Sequence, residues 1–492
     1  MGLPAGLFET ARLKGVRHFS QCNTSQDLFS AKEKEGTKMP EEYADARPRK
    51  NFFIQMFTKD ISLEECIMDL IDNSIDGLVR SRGLKLAAIS KSIFAKNGNT
   101  KRTEQDLPTV RVSYSKKAVE ISDNCGGIDL EYARTEAFNF GHGPEGRKGL
   151  VGVYGVGLKR ALFKIGDEFR VESRTVDNGF SCHLIVSEWL KKDSSLEDWR
   201  VPLEATGKAK GPKEAGTTIQ ITNLHEEVQM RLEGGTIDTT LYRSVSRSFS
   251  FFLDKYVRII LNGKVVKPFR IPLGQPTAGK ASVEEFDQDG VRVRIIATIA
   301  EKDEKGRYDQ DLAGWYVACN GRMVLDANKT TTSGWGRLGR MPTFQPKYRS
   351  FIGIVFFEAE DPLLLPWTTN KRDLNKESMI YLRVRNRMMA AARPVLSFLN
   401  RQYPSERGEE PIEREISRKV ERVSLGDLVS RKGTVFEVPP TARKVKTTTR
   451  VQYDAKNEDL EKIRKHLRKP SMGANRIGEH TFQYFVKQEG LS

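Results

Sequence analysis

Between residues 62 and 80, apolar side chains recur at three- and four-residue spacing (Leu63, Cys66, Ile67, Leu70, Ile71, Ile75, Leu78), which predicts a helix. Ser62 is its candidate N-cap, Glu65 completes a capping box, and Gly83 lies just beyond the end. The stretch MDLIDNSIDG, residues 68–77, interleaves Asp69, Asp72, Asn73 and Asp76 with the apolar run. On a helix, Asp69, Asn73 and Asp76 share one face, with Asp72 at its edge. Like charges so clustered cost stability unless a cation or polar ligand compensates them; the ordinary alternative is a solvated acidic face.

Short β-like segments at 109–115, 117–123, 168–174, 180–188 and 216–224 predict strands, with helices at 130–139 and 157–165. This mixture points to an α/β sandwich rather than a doubly wound sheet. An apolar patch from Phe52 to Phe57 begins the first domain, and residues 84–107 show no single element. Near residue 230 the pattern restarts. Residues 257–266 read as a hairpin turning at Asn262–Gly263, 291–300, 314–324 and 351–359 as strands, and 376–399 as a helix. The expected organisation is a flexible arm at 1–48, a first domain at 49–230, a second at 231–400, a charged linker or helix at 401–448, and a strand, helix, loop, helix module at 449–492.

Composition narrows the class. No apolar run reaches the roughly 18 residues of a membrane-spanning helix, and the N-terminus lacks a signal-peptide core. Cys22, Cys66, Cys125, Cys182 and Cys319 form no CxxC pair, so neither a disulfide framework nor a cysteine zinc site is expected. A reducing, cytoplasmic setting fits. The net charge of +16 makes a polyanionic partner as reasonable as plain solubility charge.

Three further motifs follow the helix. ISDNCGGID (121–129) ends a strand at Asp123 and turns through Gly126 and Gly127, where a flat ligand can approach the backbone. GLVGVYGVGLKRALFKIGDEF (149–169) runs four glycines into a helix, which offers free N–H groups and a positive dipole end to phosphate. Neither the Walker A order nor the Rossmann spacing is present. EAGTTIQITNL opens a strand with Gly-Thr. Each alone is an ordinary turn or strand start. Together, in this order, they resemble the GHKL or Bergerat-fold ATPases: gyrase B, MutL, MORC proteins, ninety-kilodalton heat-shock chaperones and sensor histidine kinases. The resemblance covers about residues 50–225, and matches within 314–372 extend it to a transducer-like second domain.

The resemblance implies an α+β fold class: a Bergerat-fold α/β sandwich, then an α/β transducer-like domain and a small mixed C-terminal module. It implies ATP as ligand and Mg²⁺ held by the side-chain oxygen of Asn73, with Asp76 beside it. Asp123 would accept a hydrogen bond from the adenine amino group, Gly127 and Ile128 would border the base, and Thr217 would support Asp123. The N–H groups around Gly152, Gly155, Val156, Gly157, Leu158 and Lys159 would hold phosphates, and residues 139–152, with His142, Arg147 and Lys148, would form a mobile lid.

Asp69 stands where that family places a general-base glutamate, one methylene and about 1.5 Å short. Glu65, one turn earlier, is a fallback base. Cys125 replaces the usual first loop glycine. In the second domain, Lys371 of PWTTNKRDLN is the candidate for a γ-phosphate contact, with Arg372 as alternate.

The implied activity is ATP hydrolysis in an ATP-dependent homodimeric clamp acting on nucleic acid or a protein partner, without a membrane. The alternatives are a histidine kinase-like phosphotransferase, for which His18 is the one upstream histidine, and a non-hydrolysing ATP switch. The last segment weakly resembles a ribbon-helix-helix DNA-binding module, with Asn457 as a cap and Ile477, Phe482 and Phe485 lining its second helix; a helical oligomerisation element is the alternative.

Overall fold

The computed structural model describes residues 48–84, 86–95, 107–139, 155–192, 196–277, 279–336, 340–402, 419–430, 433–438 and 451–491. Nearly all of the N-terminal arm, the lid residues His142, Arg147, Lys148 and Gly152, and His18 lie outside them.

Helix α1 spans Lys50–Thr58, α2 Leu63–Arg82 and α3 Leu86–Ile93. The caps of α2 form as the sequence predicts. Ser62 Oγ accepts the Glu65 N–H at 3.2 Å, and Glu65 takes the Ser62 N–H at 2.8 Å. Gly83 ends the helix in the left-handed region at φ 57°. Helix α3 falls within the segment that showed no periodicity.

Strands β1 (Thr109–Tyr114) and β2 (Ala118–Asp123) lead through a short helix α4 (Leu130–Tyr132), continued by a π-helical turn, to α5 (Gly157–Ile165). Then come β3 (Gly166–Arg174), β4 (Gly179–Ile185), β5 (Glu204–Thr206) and β6 (Gly216–Leu224). The segment expected as one strand at 180–188 turns into helix α6 at Val186–Lys191, where Trp189 is buried. Helices α7 (Glu226–Glu233) and α8 (Ile237–Ser248) precede β7 (Arg258–Leu261) and β8 (Lys264–Val265).

The first sheet has the order β5-β4-β3-β6-β2-β1-β7-β8. It is antiparallel except that β7 pairs parallel with β1, Val110 opposite Ile259. The hairpin at 257–266 turns at Asn262–Gly263 as expected, both residues at positive φ. Its strands nevertheless complete the first sheet, so that sheet runs past the boundary drawn at residue 230. Alternation could place the hairpin but not its partner, because the pairing with β1 closes a loop of more than a hundred residues.

The second sheet is built from β9 (Leu273–Pro276), β10 (Ser282–Gln288), β11 (Val291–Ala300), β12 (Gly314–Cys319), β13 (Arg322–Asn328) and β14 (Phe351–Glu358), covered by α9 (Met379–Arg401). Strand β15 (Val420–Arg422) joins its edge on β9, and α10 (Leu425–Val429) follows. Leu428, Val429 and Phe436 are buried there. Part of the expected charged linker is therefore structural, its apolar positions too widely spaced among charges to show a period.

The C-terminal helices α11 (Asn457–His466) and α12 (Ala474–Gln488) form, but residues 451–456 directly before them form no strand. Asn457 is the first helical residue rather than the cap, and Lys456 in the capping position makes no side-chain cap. Ile477 is buried, whereas Phe482 and Phe485 are exposed.

Candidate nucleotide-binding site

The site forms where α2 crosses the first sheet. Of the twenty residues of α2, fourteen are buried, including Glu64, Asp69, Asp72 and Asp76. The helix is thus not amphipathic with a wet acidic side. Helices α5 and α8 pack on it, and groups from the second sheet reach it.

Each carboxylate in its first part has a protein cation. Glu64 pairs with Arg231 of α7, and Glu65 Oε1 lies 3.6 Å from Arg372 Nε. Asp69 Oδ2 accepts from Arg160 of α5 at 2.9 Å. Asp72, fully buried, accepts from Arg322 Nε of β13 and from Lys371 Nζ, both at 2.9 Å. The Arg322 guanidinium also lies over the Phe249 ring, 4.3 Å from its centroid. Asp72 therefore points to the second sheet. The sequence placed it only at the edge of the polar face, because helical geometry fixes the face of a residue, not its partner.

Farther along α2 a cavity opens against the sheet. Asn73, Ser74, Asp76, Gly77 and Arg80 of α2, Asp123 of β2, and Thr217 and Ile219 of β6 line it. Gly127, Ile128, Tyr132, Gly155 and Leu158 complete its wall. Its empty volume, open mouth included, is about 790 Å³.

A polar network forms the floor. Asp123 Oδ2 accepts from the Ser74 hydroxyl at 2.8 Å, and Oδ1 accepts from the N–H groups of Cys125 at 2.8 Å and Thr217 at 3.4 Å. Burial pushes the Asp123 carboxyl above its usual range, against these donors. The Thr217 hydroxyl lies 2.9 Å from Ser173 Oγ, which accepts the Ile128 N–H at 2.7 Å. Gly127 sits at φ 74°, and a Cβ there would collide with the Arg174 carbonyl oxygen. Its glycine is required by the strand beside it as well as by the cavity. The Nδ2 atom of Asn73 is buried without a hydrogen-bond partner. A buried N–H donor left so is costly, and a hydrogen-bond acceptor entering the cavity would complete its bonding.

Of the residues singled out in the sequence, the cavity brings together Asn73, Asp76, Asp123, Gly127, Ile128, Gly155, Leu158 and Thr217. Asp69 stands behind this wall: a Cβ on Gly157 would lie 3.1–3.2 Å from its Cβ, Cγ and Oδ2. Burial raises the Asp69 carboxyl above its usual range; Lys371 lowers it, Asp72 raises it, and Arg160 lowers it. Val156 caps α5 without a side-chain bond, and Lys159 is buried with its ammonium on the Asn139 carbonyl. Lys371 and Glu65 do not line the cavity. Glu65 bonds its cap and Asn370, 3.3 Å away.

Ser74, Ser173, Arg80, Tyr132 and Arg160 were missed in the sequence. Ser173 was within reach of it, since the register of two predicted strands puts Ser173 directly opposite Thr217. Among the described residues no cluster of three or more His, Cys, Asp or Glu could hold a metal by itself. The donor set at Asn73 and Asp76 fits a hard cation shared with phosphate oxygens, since Mg²⁺ takes few protein ligands in such sites.

Residues 61–202 match the family model of histidine kinase-, DNA gyrase B- and HSP90-like ATPases. This part of the chain is a GHKL-type ATPase domain, and the mixed α/β architecture around the cavity agrees with that fold. No curated protein matches the chain in sequence. No helix among the described residues is long and apolar enough to cross a membrane.

Proposed function

We propose that the chain binds and hydrolyses Mg²⁺-ATP in the cavity beside α2, as a nucleotide-gated dimeric clamp on nucleic acid or a protein partner. The buried amide of Asn73, whose Nδ2 has no partner, carries this reading, because it lines the same cavity as Asp123 and Gly155. Asp123 supplies a carboxylate for the adenine amino group, held in place by Ser74 and Thr217. The uncapped start of α5, at Val156 and Gly157, directs backbone N–H groups at phosphate. Mg²⁺ bound by Asn73 would neutralise charge developing on the phosphates. Asp69 takes a proton from the attacking water, whose oxygen bonds to the γ-phosphorus while the bond to the β–γ bridging oxygen breaks. ADP and phosphate leave. Lys371, paired with Asp72 across the two sheets, gives nucleotide state a route to the second sheet, exchanging Asp72 for the γ-phosphate. The net charge of +16 supports a polyanionic client.

ATPase assays with Asn73→Ala test the site: activity falls at least about 100-fold, as for a lost transition-state donor. Parent-level turnover in that variant refutes the assignment. Dimer formation on adding a nonhydrolysable ATP analogue, followed by sedimentation, tests the clamp; an unchanged monomer refutes it. One observation favours the non-hydrolysing switch, namely the ion pair that already occupies Asp69 Oδ2. Asp69→Glu separates the two readings. Higher turnover would show that aspartate is too short to act, whereas a loss shows a fitted base.

A further inference from the structure

The short base comes with its own fitting. No described group hydrogen-bonds Asp69 Oδ1, while Oδ2 is held at 2.9 Å by an Arg160 side chain that is 12% exposed. Arg160 stands one turn into α5, directly after the glycine turn, and its backbone N–H bonds the Val156 carbonyl at 2.9 Å. Because residue 157 has no Cβ, the start of α5 lies against the Asp69 side chain, within 3.1–3.2 Å of where a Cβ would be. The missing methylene of the base is matched by this close approach of the helix. A glutamate would press its extra carbon into the same contact.

We infer that Arg160 is a positioning residue for hydrolysis: its guanidinium holds one oxygen of Asp69 and leaves the other to take the proton of the attacking water. The inference rests on the proposed ATPase reading and adds to it a residue that acts through Asp69 rather than on the nucleotide. An arginine suits the task because its guanidinium stays charged when buried, and here one Nη donates to Oδ2 at 2.9 Å. The pairing also opposes the desolvation that raises this buried carboxyl, and so favours the form that accepts a proton. The other charged or titratable groups facing Asp69 are Lys371 and Arg372 from the loop after β14, and Asp72 and Cys66 from α2 itself.

The test is steady-state hydrolysis by the full chain, with Mg²⁺-ATP affinity measured separately by fluorescent nucleotide binding. Arg160→Met lowers kcat roughly 10- to 100-fold, the usual effect of losing an orienting partner, and leaves affinity at the parent value. Its acid limb in the pH–rate profile moves to higher pH, because the cation that favoured the ionised carboxylate is gone. Arg160→Lys restores part of kcat. In an Asp69→Asn background, Arg160→Met costs nothing further. The role is overturned if Arg160→Met keeps the parent kcat and pH profile, if affinity falls in step with kcat, or if the full loss persists beside Asp69→Asn. A parent chain that hydrolyses no ATP overturns the proposed activity and this role together. An active parent with an indifferent Arg160→Met overturns this role alone.

Discussion

Two stretches of one helix carry similar polar residues to opposite ends. From Glu64 to Asp72, every carboxylate of α2 is paired with a lysine or arginine supplied by α5, α7, β13 or the loop after β14. From Asn73 onward the helix faces a cavity, where Asn73 Nδ2 has no partner and Asp123 is held by a hydroxyl and two N–H groups. Internally compensated charge fixes how the helix sits between its neighbours. On the cavity side the amide of Asn73 stays open, while within the paired stretch Asp69 keeps one oxygen free. Counting acids along MDLIDNSIDG cannot separate these roles, since Asp72 and Asn73 are adjacent and do different work.

The comparison breaks most visibly at Asp72. Asp72→Ala leaves Arg322 and Lys371 buried without their counter-ion, at a cost of about 3–5 kcal/mol. Urea unfolding of the variant measures it; a loss below about 1 kcal/mol, the worth of an exposed pair, would show that water compensates these charges. Glu65→Ala removes a capping box together with the contacts to Asn370 and Arg372, and lowers stability by about 1–2 kcal/mol on the same assay. The smallest stability effect belongs to the cavity side. Asp123→Asn keeps an acceptor for the Cys125 and Thr217 N–H groups, so the parent fold persists at neutral pH while nucleotide affinity falls.

The sign with pH follows from burial. The folded Asp123 carboxyl titrates above its unfolded value, so the folded state binds the proton more readily. Its stabilising contribution is fully present below the unfolded pKa and is lost as pH rises through the folded one. Asp123→Asn removes that loss, and its melting temperature relative to the parent increases with pH across this window. A difference independent of pH would show that Asp123 does not titrate in the folded protein.

Much of this was legible in the chain. Ser62, Glu65 and Gly83 marked both ends of α2, and alternation placed β1, β2, β3 and β6. The order of four motifs gathered Asn73, Asp123, Gly127, Gly155 and Thr217 at one cavity. What local pattern could not carry was pairing over distance. Asp72 meets partners 250 and 299 residues away. Strand β7 joins a sheet begun far upstream, and Glu65 bonds Asn370, 305 residues away. Arg160 was invisible for a related reason: spacing places it near the phosphate turn, and only the packing of α5 on α2 turns it toward Asp69.

The central claim is that the cavity beside Asn73 takes Mg²⁺-ATP. Isothermal titration of the full chain with Mg²⁺ and a nonhydrolysable ATP analogue, run in parallel on Asn73→Ala, tests it most directly. The parent binds saturably and the variant at least about 10-fold more weakly, with an unchanged melting temperature in the absence of nucleotide. Equal affinity in the two proteins, or no binding by the parent, would contradict it.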